Sequence, residues 1–230
     1  MNTNAMPSSV TRRRRLLEGR LRHRLAELLA GETVVVAALA AIVWRSDAPD
    51  GVDAAVAAHL YAPPHTLIRA VATAVTFFGK PHVVAVGALL VAAWSWRRFR
   101  DRTLSVFCPA AVAVASLCEH VLKVEVRRPR PTTAVVSHLL DFSYPSGHAT
   151  GASALVLATI LLVWSGGPAR HRSGVIIGLV VYALAVCTSR LVLGVHYLSD
   201  VVGAAVLATA CVLAVGSMCS RHGADAAALA

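Results

Sequence analysis

Long apolar runs separated by short arginine-rich clusters constrain this chain more than any other feature. No lysine or arginine interrupts Leu25 to Trp44, and comparable runs follow at about His82–Trp96, Thr103–Leu122, Gly147–Trp164, Gly174–Leu193 and His196–Met218. About 20 apolar residues carry a helix across a bilayer core. The runs therefore predict an all-α, polytopic membrane protein with six transmembrane helices. A composition of 57% hydrophobic and 15% charged residues is too apolar for an ordinary soluble domain. The formal net charge of +10 would suit a nucleic-acid binder, but the arginines sit between apolar runs without aromatic interleaving. The expected partner is the lipid bilayer, with no nucleic acid.

The arginine clusters also orient the spans. Residues 1–24 end in a basic arm, Arg12 to Arg15 with Arg20, Arg22 and Arg24; further clusters lie at Arg97–Arg102 and Arg170–Arg172. The positive-inside rule assigns all of them to the cytoplasm. A membrane domain over 25–218 then follows a cytoplasmic N-terminal arm and precedes a short cytoplasmic tail, 219–230, in a plasma or inner membrane. Residues 45–66, with Asp47, Asp50, Asp53, Pro49, Pro63 and Pro64, read as a turn-rich loop. Thr66–Phe78 is too short to span comfortably and reads as an interfacial or re-entrant helix ahead of Gly79-Lys80-Pro81. Cys108, Cys118, Cys187, Cys211 and Cys219 lack metal-ligand spacing and read as small core residues.

Polar residues inside or beside such runs are costly and mark functional sites by default. They gather in three places, all at the end of their helices away from the arginine clusters, so they can converge on one extracytoplasmic face. In Ser189–Asp200, Arg190 offers a fork of donors to phosphoryl oxygens. With a helix starting near Gly194, His196 and Asp200 would share one face, and the carboxylate would fix the imidazole as a nucleophile. In Lys123–Pro131, Lys123 and Arg130 can neutralise a phosphate, and Glu119, four residues earlier, can orient the lysine. His120 and Glu125 read as boundary residues. In Tyr144–His148, a helix start presents free N–H groups to an anion. There Ser146 can cap or donate, Gly147 permits close backbone approach, and His148 can carry a proton.

These three segments resemble the type 2 phosphatidic acid phosphatases, which share their site with vanadium-dependent haloperoxidases. The family pattern of K-x6-R-P, P-S-G-H and S-R-x5-H-x3-D is met at Lys123, Arg130 and Pro131, at Pro145 to His148, and at Ser189, Arg190, His196 and Asp200. The likeness covers about 80–218, and residues 1–79 add little to it. It implies that His196 attacks phosphorus to give a phosphohistidine, with Asp200 holding the ring. His148 would protonate the leaving oxygen and then activate water. Lys123, Arg130, Arg190, Ser146 and the Gly147 N–H would hold the phosphoryl oxygens. It implies neither metal nor cofactor, and the sequence has no carboxylate cluster suited to one.

The expected function is hydrolysis of a lipid phosphate or diphosphate. Phosphatidic acid, phosphatidylglycerol phosphate and polyprenyl phosphates or diphosphates fit alike, and oligomeric state stays open. A phosphotransferase using the same phosphohistidine is the nearest rival, and a non-catalytic lipid-phosphate transporter or binding protein the next. Acceptor-dependent product separates the first, and binding that survives His196→Ala without turnover the second. His138, in the loop between the first two motifs, is a candidate for lining the site's mouth.

Overall fold

The structure, a computed structural model, describes residues 51–133, 142–166 and 169–229, preceded by Gly31, Val35, Val36, Ala38, Ala40 and Ala41. Regular secondary structure among the described residues is helical throughout. From Gly51 onward the helices are α1 (Gly51–Leu60), α2 (Leu67–Phe77), α3 (Pro81–Phe99), α4 (Arg102–Val126), α5 (Gly147–Gly166), α6 (Ala169–Val192) and α7 (Leu198–Leu229). Four of them, α4 to α7, are long and apolar enough to cross a bilayer. The chain is a multi-pass membrane protein.

Helix α5 is the hub, packed against α3, α4, α6 and α7. Its apolar stretch is 61% buried, against 11% for that of α6, which places α6 at the periphery. The reason is side-chain size: Ala149, Ala152, Ala154 and Ala158 have no exposed surface, and small residues let helix backbones approach closely in lipid. Phe107, Leu162 and Val212 fill the space between the alanines of α4, α5 and α7. Conversely Ile177, Val181 and Leu184 of α6 point outward, the arrangement expected where the surrounding solvent is hydrocarbon. The hydroxyls of Thr150, Thr159 and Thr209 are satisfied by carbonyls one turn back.

Helices α2 and α3 meet at 50° and reach spanning length only together. The break follows from Pro81 at the first position of α3, which holds Lys80 in an extended conformation (ψ 141°). The expected second span is thus the longer part of a broken pair. Of the expected first span, Leu25–Trp44, most lies outside the described residues, as do the basic arm at 1–24 and His138. The described ones are helical, and Val36 packs against the main core.

Three boundaries differ from the sequence expectation. The turn-rich loop at 45–66 contains α1, a ten-residue helix that Asp53 enters near its start. Helix α7 runs on through the expected tail at 219–230 to Leu229, while its apolar spanning part ends at Cys219. Finally, α7 begins at Leu198 rather than near Gly194, which leaves His196 in the turn before the helix.

Candidate active site

The turn between α6 and α7 is built on Gly194. Its φ of +67° lies in the left-handed region, and a Cβ there would come within 2.5 Å of Thr133 Oγ1 and 2.7 Å of Tyr61 Cδ2. Glycine is therefore required both by conformation and by space. The turn delivers His196, 3% exposed, beneath the first residues of α7. Asp200, the third residue of α7, reaches back, and its Oδ2 accepts from Tyr197 N at 2.8 Å, an acid closing the helix N-terminus. The same Oδ2 lies 3.4 Å from His196 Nδ1. The histidine–aspartate pair is thus made across the helix start, not along one helical face.

The opposite ring nitrogen faces Arg130. Arg130 Nη1 lies 3.1 Å from His196 Nε2 and donates to Val195 O at 2.7 Å. A guanidinium can only donate, so Nε2 accepts and the ring proton sits on Nδ1, toward Asp200. Burial holds the His196 pKa down at about 4; the Asp200 carboxylate raises it, while Arg130 and Arg190 lower it further. The imidazole is neutral, with its lone pair on the side of the cations.

Left-handed Arg127 (φ 52°) ends α4, and Pro129 and Pro131 keep the following residues extended. Alternation then sends Arg128 and Arg130 to the same side, onto the turn that carries His196. Lys123 stays inside α4, in its last turn, and pairs with Glu119 at 2.6 Å, as the spacing suggested. Glu119 in turn lies against the start of α5: a Cβ on Gly147 would be 3.0 Å from its Oε1.

The Tyr144–His148 segment docks on the same turn. Ser146 N donates to Asp200 O at 3.2 Å. Among the described residues Ser146 Oγ is buried with no hydrogen-bond partner, an orphaned donor of the kind a ligand oxygen would satisfy. His148, in the first turn of α5, packs against the α2–α3 break; a Cβ on Gly79 would meet its Cδ2 at 3.1 Å. It lies in electrostatic range of Arg190, His196, Lys123 and Arg130. Arg190, near the end of α6, donates to Thr76 Oγ1 at 2.7 Å. Of the eight residues singled out from the sequence, Arg130, Ser146, His196 and Asp200 meet directly at the buried turn, Lys123 and Gly147 are joined through Glu119, and His148 lies within electrostatic range of Lys123, Arg130, Arg190 and His196.

Four contributors were not singled out. Ser143 donates to Asp200 Oδ2 and lies 3.5 Å from His196 Nδ1. Arg128 donates to Asp200 Oδ1 at 2.6 Å, and Asp53 accepts from Arg128 Nη2 at 2.7 Å. Thr76 receives Arg190. The one available signal was the Arg-Pro-Arg-Pro alternation, which pairs Arg128 with Arg130.

The PAP2 superfamily family model matches residues 104–223. Phosphatidylglycerophosphatase B of Bacillus subtilis (strain 168) is 32% identical over 143 residues, 59% of this chain and 68% of that protein. Undecaprenyl-diphosphatase BcrC of the same organism is 29% identical over 133 residues, 55% of this chain and 63% of that protein. Among solved structures, a transmembrane PAP2-type phosphatidylglycerolphosphate phosphatase from Bacillus subtilis superposes with a TM-score of 0.73 at 23% identity, covering 84% of this chain and 96% of that one. LpxE of Aquifex aeolicus gives 0.54 at 20% identity, covering 71% and 93%.

Proposed function

This chain belongs to the PAP2 superfamily and is a phosphatase of lipid phosphates, and from that premise we propose that it works through a phosphohistidine on His196 at the extracytoplasmic face of the membrane. The observation that carries the reading is the geometry around His196: Nδ1 lies 3.4 Å from Asp200 Oδ2 and Nε2 lies 3.1 Å from Arg130 Nη1, which assigns the ring proton to Nδ1 and the lone pair to the side of the cation. That is an imidazole prepared to attack an anion held by arginines.

In the proposed reaction, Arg130 turns its N–H groups from Nε2 to the phosphoryl oxygens, and the freed lone pair forms the N–P bond. Lys123, Arg190, the Ser146 hydroxyl and the Gly147 N–H hold the remaining equatorial charge. As the bond from phosphorus to the leaving oxygen breaks, His148 supplies the proton. The leaving group is a lipid alcohol from a monophosphate or a lipid phosphate from a diphosphate. His148, now basic, takes a proton from water, which displaces His196 and releases inorganic phosphate. Asp200 orients the ring and balances its positive charge in the intermediate. No step uses a metal.

The relatives' names favour phosphatidylglycerol phosphate and undecaprenyl diphosphate among the lipids to be tried first. A site at helix ends suits a substrate whose tail remains in the bilayer. The arginine clusters at 97–102 and 170–172 lie at the opposite helix ends, which supports an extracytoplasmic site, six spans and cytoplasmic termini.

The test is phosphate release by purified, detergent-solubilised protein from phosphatidic acid, phosphatidylglycerol phosphate and polyprenyl mono- and diphosphates, with EDTA present. Release should persist in EDTA and vanish in His196→Ala. Release by that variant would move the nucleophile elsewhere, and loss in EDTA would reject the metal-free reaction.

A further inference from the structure

Asp53 lies in α1, outside the residues that match the family model, yet it is buried against the catalytic turn at 2% exposure. It accepts from Ser199 N at 2.9 Å, from Ser199 Oγ, and from Arg128 Nη2 at 2.7 Å. Arg128 is 5% exposed, stacks over the Tyr197 ring at 4.4 Å, and donates from Nη1 to Ser199 Oγ and Asp200 Oδ1, each at 2.6 Å. One guanidinium therefore bridges two buried carboxylates, and the second of these faces His196.

The charge arithmetic gives the bridge a use. Arg128 and Asp200 alone would form a closed, neutral pair, and Asp200 would have little charge left for the ring. Sharing the cation with Asp53 draws part of it away from Asp200 and leaves more of the Asp200 charge uncompensated. That charge is available to an imidazole that becomes positive as its Nε2 bonds to phosphorus. Burial opposes the Arg128 charge, but Asp200 and Asp53 together raise its pKa above the ordinary arginine value. The geometry matters equally: Arg128 fixes Oδ1, so Oδ2 is aimed at Nδ1, while Asp53 ties the first turn of α7 to α1.

We propose that Asp53 and Arg128 are positioning residues for the reaction, a buried carboxylate and guanidinium that act through Asp200 to set the orientation and charge felt by His196. The inference rests on the assignment of His196 and Asp200 above. It makes α1 part of the catalytic apparatus.

The test compares Asp53→Asn, Arg128→Lys, their double variant and Ser199→Ala with the parent protein, reading kcat and KM for phosphate release, acid-quenched phosphoenzyme, and Tm in detergent. Asp53→Asn should lower kcat by about tenfold with KM changed less than about twofold, the pattern of an interaction made in the transition state. Tm falls as well, because a buried ion pair loses one charged partner, so kcat is read well below the Tm of every variant. Ser199→Ala, which keeps both carboxylates, should lower kcat by about threefold. The double variant should lose less than the product of the single losses, because both act on one bridge. A parental kcat in Asp53→Asn, or in Ser199→Ala should the former not fold, overturns the inference. So does a loss confined to KM, or one that disappears when kcat is read well below the variant's Tm. An inactive parent would overturn the phosphohistidine reading and this inference together; an active parent with an inert His196→Ala and an unaffected Asp53→Asn overturns the inference alone.

Discussion

Arg130 donates to the Nε2 of His196 across 3.1 Å while the same nitrogen of the guanidinium holds Val195 O at 2.7 Å. The arginine thereby fixes the tautomer of the histidine from one side as Asp200 does from the other. A lysine ammonium at this position carries the charge but lacks the planar fork. Arg130→Lys should therefore lower kcat/KM by about a hundredfold, the scale of losing a preorganised donor, with Tm little changed. Steady-state kinetics on the best lipid substrate checks this, and an intact kcat/KM would show that charge alone suffices.

The candidate site residues were legible because charge beside an apolar run must be explained, and Lys123, Arg130, Arg190, His148, His196 and Asp200 stand out for that reason. Arg128 was not, because three arginines within four residues look alike until the left-handed cap at Arg127 decides which faces inward. Asp53 was hidden differently. It lies 146 residues from Ser199 and stands among Asp47, Pro49 and Asp50, a composition that reads as a turn. Its tertiary role overrides the local signal, as does the role of Ser143, one of several small polar residues before Pro145. The helix start at Leu198 is set by Asp200 closing the N-terminus, which the four-residue spacing of His196 and Asp200 did not distinguish from an earlier start.

Vanadate adopts the five-coordinate geometry that phosphorus passes through, and sites complementary to that state bind such analogues more tightly than substrate. The orphaned Ser146 Oγ and the convergent cations offer its oxygens donors. Competitive inhibition is expected at or below about millimolar vanadate. Non-competitive inhibition, or none, would place the phosphoryl group away from these residues.

Burial of His196 links stability to pH. Its unfolded imidazole titrates at 6.5 and its folded one at about 4, so between those values the unfolded chain binds the extra proton. Stability contributed by this group is fully present above about 6.5, falls as pH is lowered, and stops falling near about 4. Detergent Tm measured across this window should decline more steeply for the parent than for His196→Gln, which has no titrating ring. Parallel curves would mean that the folded imidazole is not depressed.

Gly79 offers a way to disturb His148 without touching it. The glycine sits at the α2–α3 break, where an added Cβ would lie 2.6 Å from Val186 Cγ1 and 3.1 Å from His148 Cδ2. The first distance requires a shift, and Val186 has no exposed surface, so the displaced methyl has nowhere open to go. The strain must be shared between α6 and the imidazole. Gly79→Ala should destabilise the protein by about 1–3 kcal/mol, the usual range for overpacking, and should reduce kcat because His148 is the proposed proton carrier. Adding Val186→Ala removes the methyl that makes the closer contact. The double variant Gly79→Ala/Val186→Ala should therefore recover part of both Tm and kcat, although Val186→Ala alone destabilises by leaving a cavity. Strictly additive losses in kcat and Tm across this cycle would show that Gly79 does not act through the contact with Val186 and His148.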